Sequence, residues 1–296
     1  MADLNLQAVQ PPVSRGRLTA RRMWRDLRRS PSAIIGLIIV AFLVFVAVSA
    51  DALAPYDPLE VNPMAAMMPP GPDHWIGTDA LGRDQLSRIM HGTRLSLQLG
   101  LIATSIAAVV GSVVGLAAGY YRGALENVIM SLNDVLLAFP YILLALAIVY
   151  ALGINMTNLM IAVGIGGIPG YVRVVRGTVL TIKENTYIEA SRVIGCTDFR
   201  IMLKHILPNA VAPIIVLATM GVASAILTGS SLSFLGLGTK PPTPEWGVML
   251  SEGRSFMAVA WWVATFPGIA ISLAVLGMNL LGNGLRDILD PRLRRD

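Results

Sequence analysis

Long apolar runs separated by charged, polar segments dominate this chain of 296 residues. The uncharged runs are 33–50, 95–121, 135–172, 206–239 and 255–285. A bilayer crossing needs about 20 apolar residues, so the third run is long enough for two helices, with a turn at Gly153-Ile154-Asn155-Met156. The pattern therefore predicts an all-α integral membrane protein with six membrane-spanning helices.

The composition of the chain agrees with a membrane protein. Hydrophobic residues make up 54% of the chain and charged residues only 14%, whereas soluble domains contain about 25% charged residues. The net charge of +5 does not indicate nucleic-acid binding, because the basic residues flank the apolar runs instead of forming a patch with interleaved aromatic residues. The single cysteine, Cys196, excludes an internal disulfide framework.

The first apolar run, 33–50, has two interpretations, an uncleaved span or a signal peptide. Val48-Ser49-Ala50 resembles a cleavage site. However, the preceding charged region is long and the run exceeds the usual length of about 7–15 residues, which favours an uncleaved span. From Arg15 to Arg29, seven arginines surround apolar residues at helical spacing. This pattern predicts a short helix lying on the anionic cytoplasmic surface.

Lysine and arginine determine the expected orientation. With the N-terminus in the cytoplasm, the inner segments contain 18 of the 23 basic residues, in agreement with the positive-inside rule. Those segments are 1–32, 120–134, 173–205 and 286–296. We therefore expect both termini to be cytoplasmic.

These expectations divide the chain into five parts. They are a cytoplasmic tail with an interfacial helix (1–32), a first membrane-spanning helix (33–50), an outer loop (51–93), a five-helix core (94–285) and a second cytoplasmic tail (286–296). The core includes an inner loop at 173–209. This loop and the outer loop contain the motifs that bear on function.

Features within the spans indicate helix packing. Gly111, Gly115 and Gly119 recur every four residues and give one helix a smooth face that a second helix can approach closely. Pro169 and its neighbouring glycines are expected to weaken or kink the fourth span, and Pro213 and Pro267 could bend the fifth and sixth. Three tryptophans near the outer ends of the last two spans suit an interfacial aromatic belt, with substrate contact as the alternative. They are Trp246, Trp261 and Trp262.

Ionisable residues are nearly absent from the predicted spans. Asp134 lies at the cytoplasmic start of the third span, beside Asn133. A proton-driven carrier would bury carboxylates or histidines in mid-span as relays. The pattern therefore argues against secondary transport and favours energy supplied from outside the membrane.

The stretch from Thr186 to Asn209 is a charged, amphipathic insert between two apolar runs. Thr186 and Glu189 fit a capping box at the start of a helix, and Gly195 suits the left-handed position that ends it. Thr197 or Asp198 can cap a second short helix. Pro208 follows at the junction with the next apolar run. Such a structured loop suggests that another protein docks there; the alternative is a capped interfacial helix pair that binds nothing.

Glu189-Ala190-Ser191, Gly195 and Leu207-Pro208, at these spacings, resemble the EAA motif of bacterial ABC importer permeases. In that family the loop forms a coupling helix that inserts into a cleft of the ATP-hydrolysing subunit. Ser191 and His205 are mild departures from the family pattern. The resemblance implies that the ATPase-coupling residues are Tyr187, Glu189, Ala190, Ser191, Gly195, Asp198, Leu207 and Pro208.

The outer loop contains a second motif, His74-Trp75-Ile76-Gly77-Thr78-Asp79-Ala80-Leu81-Gly82-Arg83-Asp84. With later motifs at 234–238, 241–254 and 279–292, it is similar to the second, C-type permease of dipeptide, oligopeptide and nickel importers. The motif residues of interest are Gly77, Thr78, Asp79, Gly82, Arg83 and Asp84. A calcium loop is the alternative, but the spacing is not that of an EF-hand. We expect a glycine-turned, salt-bridged loop that covers the outer mouth of the pathway and touches a substrate-delivering partner.

The resemblance covers about residues 20–292 and implies the type I ABC importer permease fold with six transmembrane helices. It implies a homologous B-type permease, two nucleotide-binding ATPase subunits and an extracytoplasmic solute-binding protein as partners, in a bacterial inner membrane. The chain has no GxxxxGK[ST] phosphate loop, no catalytic constellation and no metal-ligand spacing. We therefore expect no enzyme activity and no cofactor on this chain, with ATP and Mg on the partner subunits.

The substrate expected from the resemblance is a dipeptide or oligopeptide. Nickel and glutathione are alternatives with the same machinery, and the residues that line the pathway are not defined by the sequence. From a different class, an ATP-independent channel or carrier is the second hypothesis, and a membrane-embedded enzyme is a distant third.

Overall fold

The computed structural model describes residues 30–289. Within that range the regular structure is helical, apart from an isolated bridge between Thr78 and Asp84. The all-α prediction is therefore confirmed for the described part of the chain. The interfacial helix expected from Arg15 to Arg29 and the tail beyond Leu289 lie outside the described residues.

Long helices alternate with short connecting helices. In chain order they are α1 (Pro31–Leu53), α2 (Gln85–Tyr121), α3 (Gly123–Ala138), α4 (Tyr141–Leu152), α5 (Met156–Lys183), α6 (Thr186–Val193), α7 (Asp198–Ile201), α8 (Leu207–Phe234), α9 (Trp246–Gly253) and α10 (Trp262–Leu289). A turn of π-helix, Met202–Ile206, joins α7 to α8, so that Asp198–Phe234 is one helix of 37 residues. Short 3₁₀ turns occur at Pro63–Ala65 and Arg254–Phe256.

Five helices of the described chain are long and apolar enough to cross a membrane, namely α1, α2, α5, the joined α7–α8 and α10. The pair α3 and α4 passes the same test together, but its two halves are bent by 95°. The prediction of six spans therefore holds when this bent pair is counted as one crossing.

The bend between α3 and α4 differs from the predicted straight third span. The apolar run begins at residue 135, whereas α3 already begins at Gly123 and ends at Ala138. Pro140 explains the break, because proline disfavours the helical conformation in the residue before it. Phe139 is accordingly extended, with φ −85° and ψ 136°.

The turn expected between the third and fourth spans is present. Gly153 follows the last residue of α4, and the side chain of Asn155 caps α5 by accepting a hydrogen bond from the backbone N–H of Asn158 at 2.9 Å. The helices α5 and α8 continue through Pro169 and Pro213, so neither proline ends a helix.

The glycine face of α2 packs directly against α5. A Cβ atom on Gly115 would lie 2.7 Å from the carbonyl oxygen of Val172, and one on Gly119 would lie 2.8 Å from Cβ of Val179. Both distances are shorter than van der Waals contact, so only glycine permits this backbone approach. The predicted close helix contact is confirmed.

An apolar core joins α1, α2, α8, α9 and α10. Its largest buried members are Leu43, Leu97, Val222, Ile226, Trp246, Met249, Ile271 and Met278. The first span therefore packs on the last one, and α9 lies in the same bundle although it is too short to cross a membrane. This arrangement places the loops before α2 and after α8 at the same end of the bundle.

The glycine contact can be tested with Gly115→Ala. We expect destabilisation by about 1–3 kcal/mol, because the added methyl group meets the α5 backbone and overpacks the contact. Gly177→Ala is the control, since a Cβ on this α5 glycine meets nothing within 4 Å. It should leave the melting temperature in detergent unchanged or raise it. Equal melting temperatures for both variants would contradict the packing account.

Candidate functional site

The segment 186–209 leaves α5 and returns to the bundle as α6, α7 and the start of α8. Asn185, and not Thr186, is the N-cap residue of α6, and its side chain makes no capping bond. Instead, its Nδ2 donates to the carbonyl oxygens of Thr181 and Ile182, at 3.3 and 2.7 Å. The predicted capping box of Thr186 and Glu189 is therefore wrong. The N-cap residue is Asn185, and its side chain binds carbonyl groups in the last turn of α5 instead of an N–H group of α6.

The end of α6 agrees with the prediction from Gly195. This residue has φ 84°, and its N–H donates to the carbonyl oxygen of Arg192 at 2.9 Å. The left-handed conformation favours glycine over residues with a Cβ atom. The next helix, α7, is capped by Thr197, whose hydroxyl accepts from the N–H of Arg200 at 3.4 Å. Asp198 is the first residue of that helix and is not its cap.

The second short helix does not stop at Pro208. Proline has no N–H to donate within a helix, and the chain accommodates it just after the π turn, where the N–H of Leu207 donates to the carbonyl oxygen of Met202. An extra residue in a π turn shifts the hydrogen-bond register without ending the helix. The two-helix prediction for this segment is therefore corrected to one short helix, α6, and the beginning of a long one.

One side of the segment is buried against the ends of α2 and α5. Ile188, Ile201 and Ile206 are fully buried in a single apolar cluster. The other members of this cluster come from the three neighbouring spans and are Leu116, Tyr120, Val175, Val179, Ile182 and Ala210. Ser191 is also buried and donates to the carbonyl oxygen of Tyr187 at 2.7 Å. The buried side chains of the segment thus anchor it to the ends of the neighbouring spans.

The segment also exposes three large apolar side chains. Val193 is 87% exposed, Ile194 78% and Phe199 69%; these three residues are called the apolar ridge below. At 1.5 Å per residue, the 37-residue helix that begins at Asp198 is about 55 Å long, whereas the hydrocarbon core is about 30 Å thick. One end of this helix must therefore project beyond the membrane. Tyr187, Glu189 and Ala190 are exposed on α6 as well.

The six residues of the outer-loop motif lie together before α2. Gly77 and Gly82 both have positive φ, 82° and 75°. The carboxylate of Asp79 accepts from the backbone N–H of Arg83 at 3.0 Å and from its Nε at 2.6 Å. Asp84 caps α2 by accepting from the N–H of Ser87 at 2.8 Å. The glycines thus turn the chain so that the two carboxylates hold a tight loop.

Thr78 ties this loop to neighbouring parts of the chain. Its hydroxyl donates to the carbonyl oxygen of Ala65 at 2.5 Å and accepts from the N–H of Met68 at 2.8 Å. Its carbonyl oxygen accepts from the indole N–H of Trp262 at 3.0 Å. The loop is therefore joined to the start of α10.

The expected salt-bridged loop is present, but sequence reasoning missed its extension to Arg88 and Glu252. The ions Asp79, Arg83, Arg88 and Glu252 are called the Arg88 cluster below. Arg88 is 0% exposed, and its guanidinium lies 2.9 Å from Glu252 and 3.5 Å from Asp79. Arg83 also contacts Glu252, at 3.2 Å. Glu252 belongs to α9, so the pairing joins distant parts of the sequence. A buried arginine needs such partners, because an unpaired buried charge is strongly unfavourable.

Of the three carboxylates that suggested a calcium loop, Asp73, Asp79 and Asp84, the last two have protein partners. Asp79 is bound by two arginines, and Asp84 lies 2.9 Å from Nδ1 of His74 and accepts from Ser87. Among the described residues there is no group of three or more metal-ligating side chains. The geometry supports an ion-paired loop.

The tryptophan prediction is only partly correct. Trp261 is exposed, but Trp246 is completely buried, and its indole N–H donates to the carbonyl oxygen of Ile89 at 3.2 Å. Trp262 is also buried. Trp246 packs between helices and Trp262 packs against the outer loop, so these two do not form an aromatic belt, and their N–H groups have partners inside the protein.

Glu245 is a further buried carboxylate that the sequence did not single out. It caps α9 by accepting from the N–H groups of Gly247 and Val248, each at 3.0 Å. Burial raises the pKa of Glu245, although the hydrogen bonds from those two N–H groups act in the opposite direction. The residue fixes the start of the helix that contributes Glu252.

The Arg88 cluster predicts unequal effects for two arginines. Arg88→Met should destabilise the protein by about 3 kcal/mol, because it leaves Asp79 and Glu252 with an uncompensated negative charge. Arg94→Met is the matched control, since Arg94 pairs with the largely exposed Asp51 at 3.2 Å, where water screens the interaction. Thermal melting of both variants in detergent measures the difference. An equal loss in both would contradict a structural role for the cluster.

Comparison with known families identifies the class of protein. The family model described as "Binding-protein-dependent transport system inner membrane component" matches residues 111–295, and that described as "N-terminal TM domain of oligopeptide transport permease C" matches residues 19–70. The chain therefore belongs to the family of inner-membrane permeases of binding-protein-dependent ABC importers. It is a multi-pass inner-membrane protein.

Individual relatives agree with this assignment over nearly the whole chain. The chain is 46% identical over 282 residues to the glutathione transport system permease protein GsiD of Pectobacterium atrosepticum, covering 93% of this chain and 91% of the relative. It is 44% identical over 287 residues to the dipeptide transport system permease protein DppC of Alkalihalophilus pseudofirmus, covering 96% and 94%.

A solved structure agrees with the fold. This chain is similar to a chain in an inward-facing structure of the MetNI methionine ABC transporter, with a TM-score of 0.57 and 19% identity. The match covers 69% of this chain and 97% of the MetNI chain. At this level of identity the likeness establishes the fold, which is that of an ABC importer transmembrane subunit.

Proposed function

We propose that this chain forms half of the translocation pathway of a peptide importer and couples it to ATPase subunits through the segment 186–209. The observation that carries this proposal is the apolar ridge of Val193, Ile194 and Phe199, exposed on a segment whose other side is buried. Exposed apolar patches on a fixed support are typical of protein–protein interfaces. The ridge suits a cleft of a partner subunit.

The residues of the EAA-like motif have distinct parts in this proposal. Tyr187, Glu189 and Ala190 present the exposed face of α6 to the ATPase, while Ser191 fixes the helix from its buried side. Gly195 turns the chain between Val193 and Ile194, at the end of α6, and Phe199. Asp198, Leu207 and Pro208 belong to the long helix that would carry movement into the membrane.

The complete importer would contain a homologous B-type permease, two nucleotide-binding ATPase subunits and an extracytoplasmic solute-binding protein. ATP and Mg would be bound by the ATPase subunits, so this chain would hold no cofactor and perform no catalysis. Both termini and the segment 186–209 would face the cytoplasm, as the excess of arginine and lysine in those parts indicates.

The substrate that we propose is a short peptide. The relatives described above are named for dipeptide and for glutathione transport, and glutathione is itself a small peptide. Nickel is the alternative suggested by the motifs of the outer loop. The residues Gly77, Thr78, Asp79, Gly82, Arg83 and Asp84 would shape the surface that receives the binding protein.

In the proposed mechanism, ATP binding brings the two ATPase subunits together, and they move α6. Since α6 is packed against α2 and α5, the spans rearrange with it. The two membrane arrangements need to differ by only a few kcal/mol for such a switch. The helix α9 and its Arg88 cluster would move as one unit with the loop before α2.

Ile194→Asp tests the docking surface. The tagged variant should retain about tenfold less ATPase during gentle purification, because a buried, unpaired carboxylate costs more than the ~1.4 kcal/mol that corresponds to a tenfold change in affinity. Val259→Asp is the matched control, an exposed valine in the loop before α10, and should retain the wild-type amount. Both variants should reach the membrane in equal quantity.

The contrary result would be full retention of the ATPase by Ile194→Asp together with normal ATP-dependent uptake. This outcome would remove the apolar ridge from the coupling interface.

A further inference from the structure

Tyr120 lies in the last turn of α2 and contacts the end of α5 and both short helices of the segment 186–209. It is only 2% exposed and belongs to the same apolar cluster as Ile188 and Ile201. Burial of a tyrosine in an apolar cluster requires a partner for its hydroxyl group. In addition to its apolar contacts, Tyr120 has a partner for its hydroxyl group and two charged neighbours beside its ring.

The hydroxyl of Tyr120 donates to Oδ1 of Asp198 at 2.5 Å. Asp198 is the first residue of α7 and therefore of the long helix that continues as α8. A hydrogen bond to an ionised carboxylate is about twice as strong as one between neutral groups. The bond joins the end of α2 directly to the segment 186–209.

Two cations lie beside the ring of the same tyrosine. Nζ of Lys183 is 5.1 Å from the ring centroid and Cζ of Arg192 is 5.3 Å from it. Both distances are within the range of cation–π attraction. Lys183 ends α5 and also donates to the carbonyl oxygen of Tyr120, whereas Arg192 belongs to the last turn of α6. One aromatic side chain thus connects α2, α5, α6 and α7.

We propose that Tyr120 is a positioning residue that couples displacement of α6 and α7 to the membrane-spanning helices α2 and α5. The inference rests on the proposed function, since it concerns how the ATPase-driven movement is transmitted. The apolar cluster holds the segment in place by contacts that can slide. The hydroxyl–carboxylate bond is directional and fixes the position of the start of α7 relative to α2.

The location of the charges supports transmission as the role of this contact. Asp198 lies at the exposed start of α7, whereas the hydroxyl that it binds belongs to a buried residue of α2. A small sideways movement of Asp198 or Arg192 therefore changes the contact with a buried residue of α2. Packed helix ends respond to such a change by switching position as units.

Tyr120→Phe is the most direct test, because it removes the hydroxyl and keeps the ring for packing and for the two cations. Tyr121→Phe is the matched control, the same change one residue further along, at an exposed position. Asp198→Ala removes the same bond from its exposed side, so that the test does not depend on the folding of one variant. Each variant is reconstituted in liposomes with its ATPase subunits, second permease and binding protein.

Two rates are measured in each preparation, ATP hydrolysis and uptake, with a labelled dipeptide and labelled glutathione as separate probes. In Tyr120→Phe and Asp198→Ala we expect uptake per ATP hydrolysed to fall by about tenfold or more, the size of effect expected from losing a hydrogen bond to a charged group. In Tyr120→Phe, ATPase retention and melting temperature should remain close to wild type, because no buried polar group is left without a partner. Tyr121→Phe should keep the wild-type ratio. A merely structural role would lower both rates together and leave their ratio unchanged.

Different results would refute the role of Tyr120 and the proposed importer function. An unchanged ratio in Tyr120→Phe and Asp198→Ala, with active wild-type complex, would refute the role of Tyr120 and leave the importer function intact. A wild-type complex that hydrolyses ATP without taking up either peptide probe, or that takes them up without ATP, would refute the proposed function and the role of Tyr120 with it.

Discussion

Burial of one side of the segment 186–209 is the interaction on which the proposed coupling depends. Ile188, Ile201 and Ile206 leave water for a cluster formed by the ends of α2, α5 and α8. Complete burial of an aliphatic side chain stabilises by about 1.5–3 kcal/mol, so these three residues hold the segment against the ends of the spans. Without this anchor, the apolar ridge would be part of a mobile loop and could not transmit force.

The anchor in turn depends on the contact between α2 and α5. Gly115 and Gly119 bring the two backbones together. The ends of both helices then form one apolar surface against which the segment 186–209 packs. At the other end of α2, the Arg88 cluster joins the same helix to α9 through Glu252. The helix α2 is therefore connected by polar contacts at both of its ends and by glycine packing between them. A rigid rod with specific contacts at each end is a suitable element for relating an event on one side of a membrane to the other.

Sequence reasoning succeeded where periodicity and local backbone rules decide the structure. Apolar runs located the spans, and Gly195 marked the end of α6 because few other residues adopt its backbone conformation. It failed where a local pattern has several solutions. Thr186 and Glu189 fit a capping box, but Asn185 closes α5 instead, and the apolar run from residue 135 concealed the bend at Pro140. The length of a hydrophobic run predicts how many membrane crossings it can hold. It does not predict where the helix axis bends.

The parts of the candidate site that the sequence did not reveal are contacts between distant residues. Glu252 stood within a recognised motif and Arg88 lies four residues after another, yet nothing local pairs an arginine of α2 with a glutamate of α9. Tyr120 was hidden by a different effect, since a tyrosine at the end of an apolar span is ordinarily read as an interfacial residue. Only the tertiary structure brings Asp198 within hydrogen-bond distance of the Tyr120 hydroxyl group.

Gentle purification of the tagged chain from its native membranes, followed by identification of the proteins that accompany it, tests the central claim most directly. The account predicts a second, homologous permease together with one or two kinds of nucleotide-binding subunit. A homo-oligomer without an ATPase that still moves solute across liposome membranes would contradict it, and would favour an ATP-independent channel or carrier.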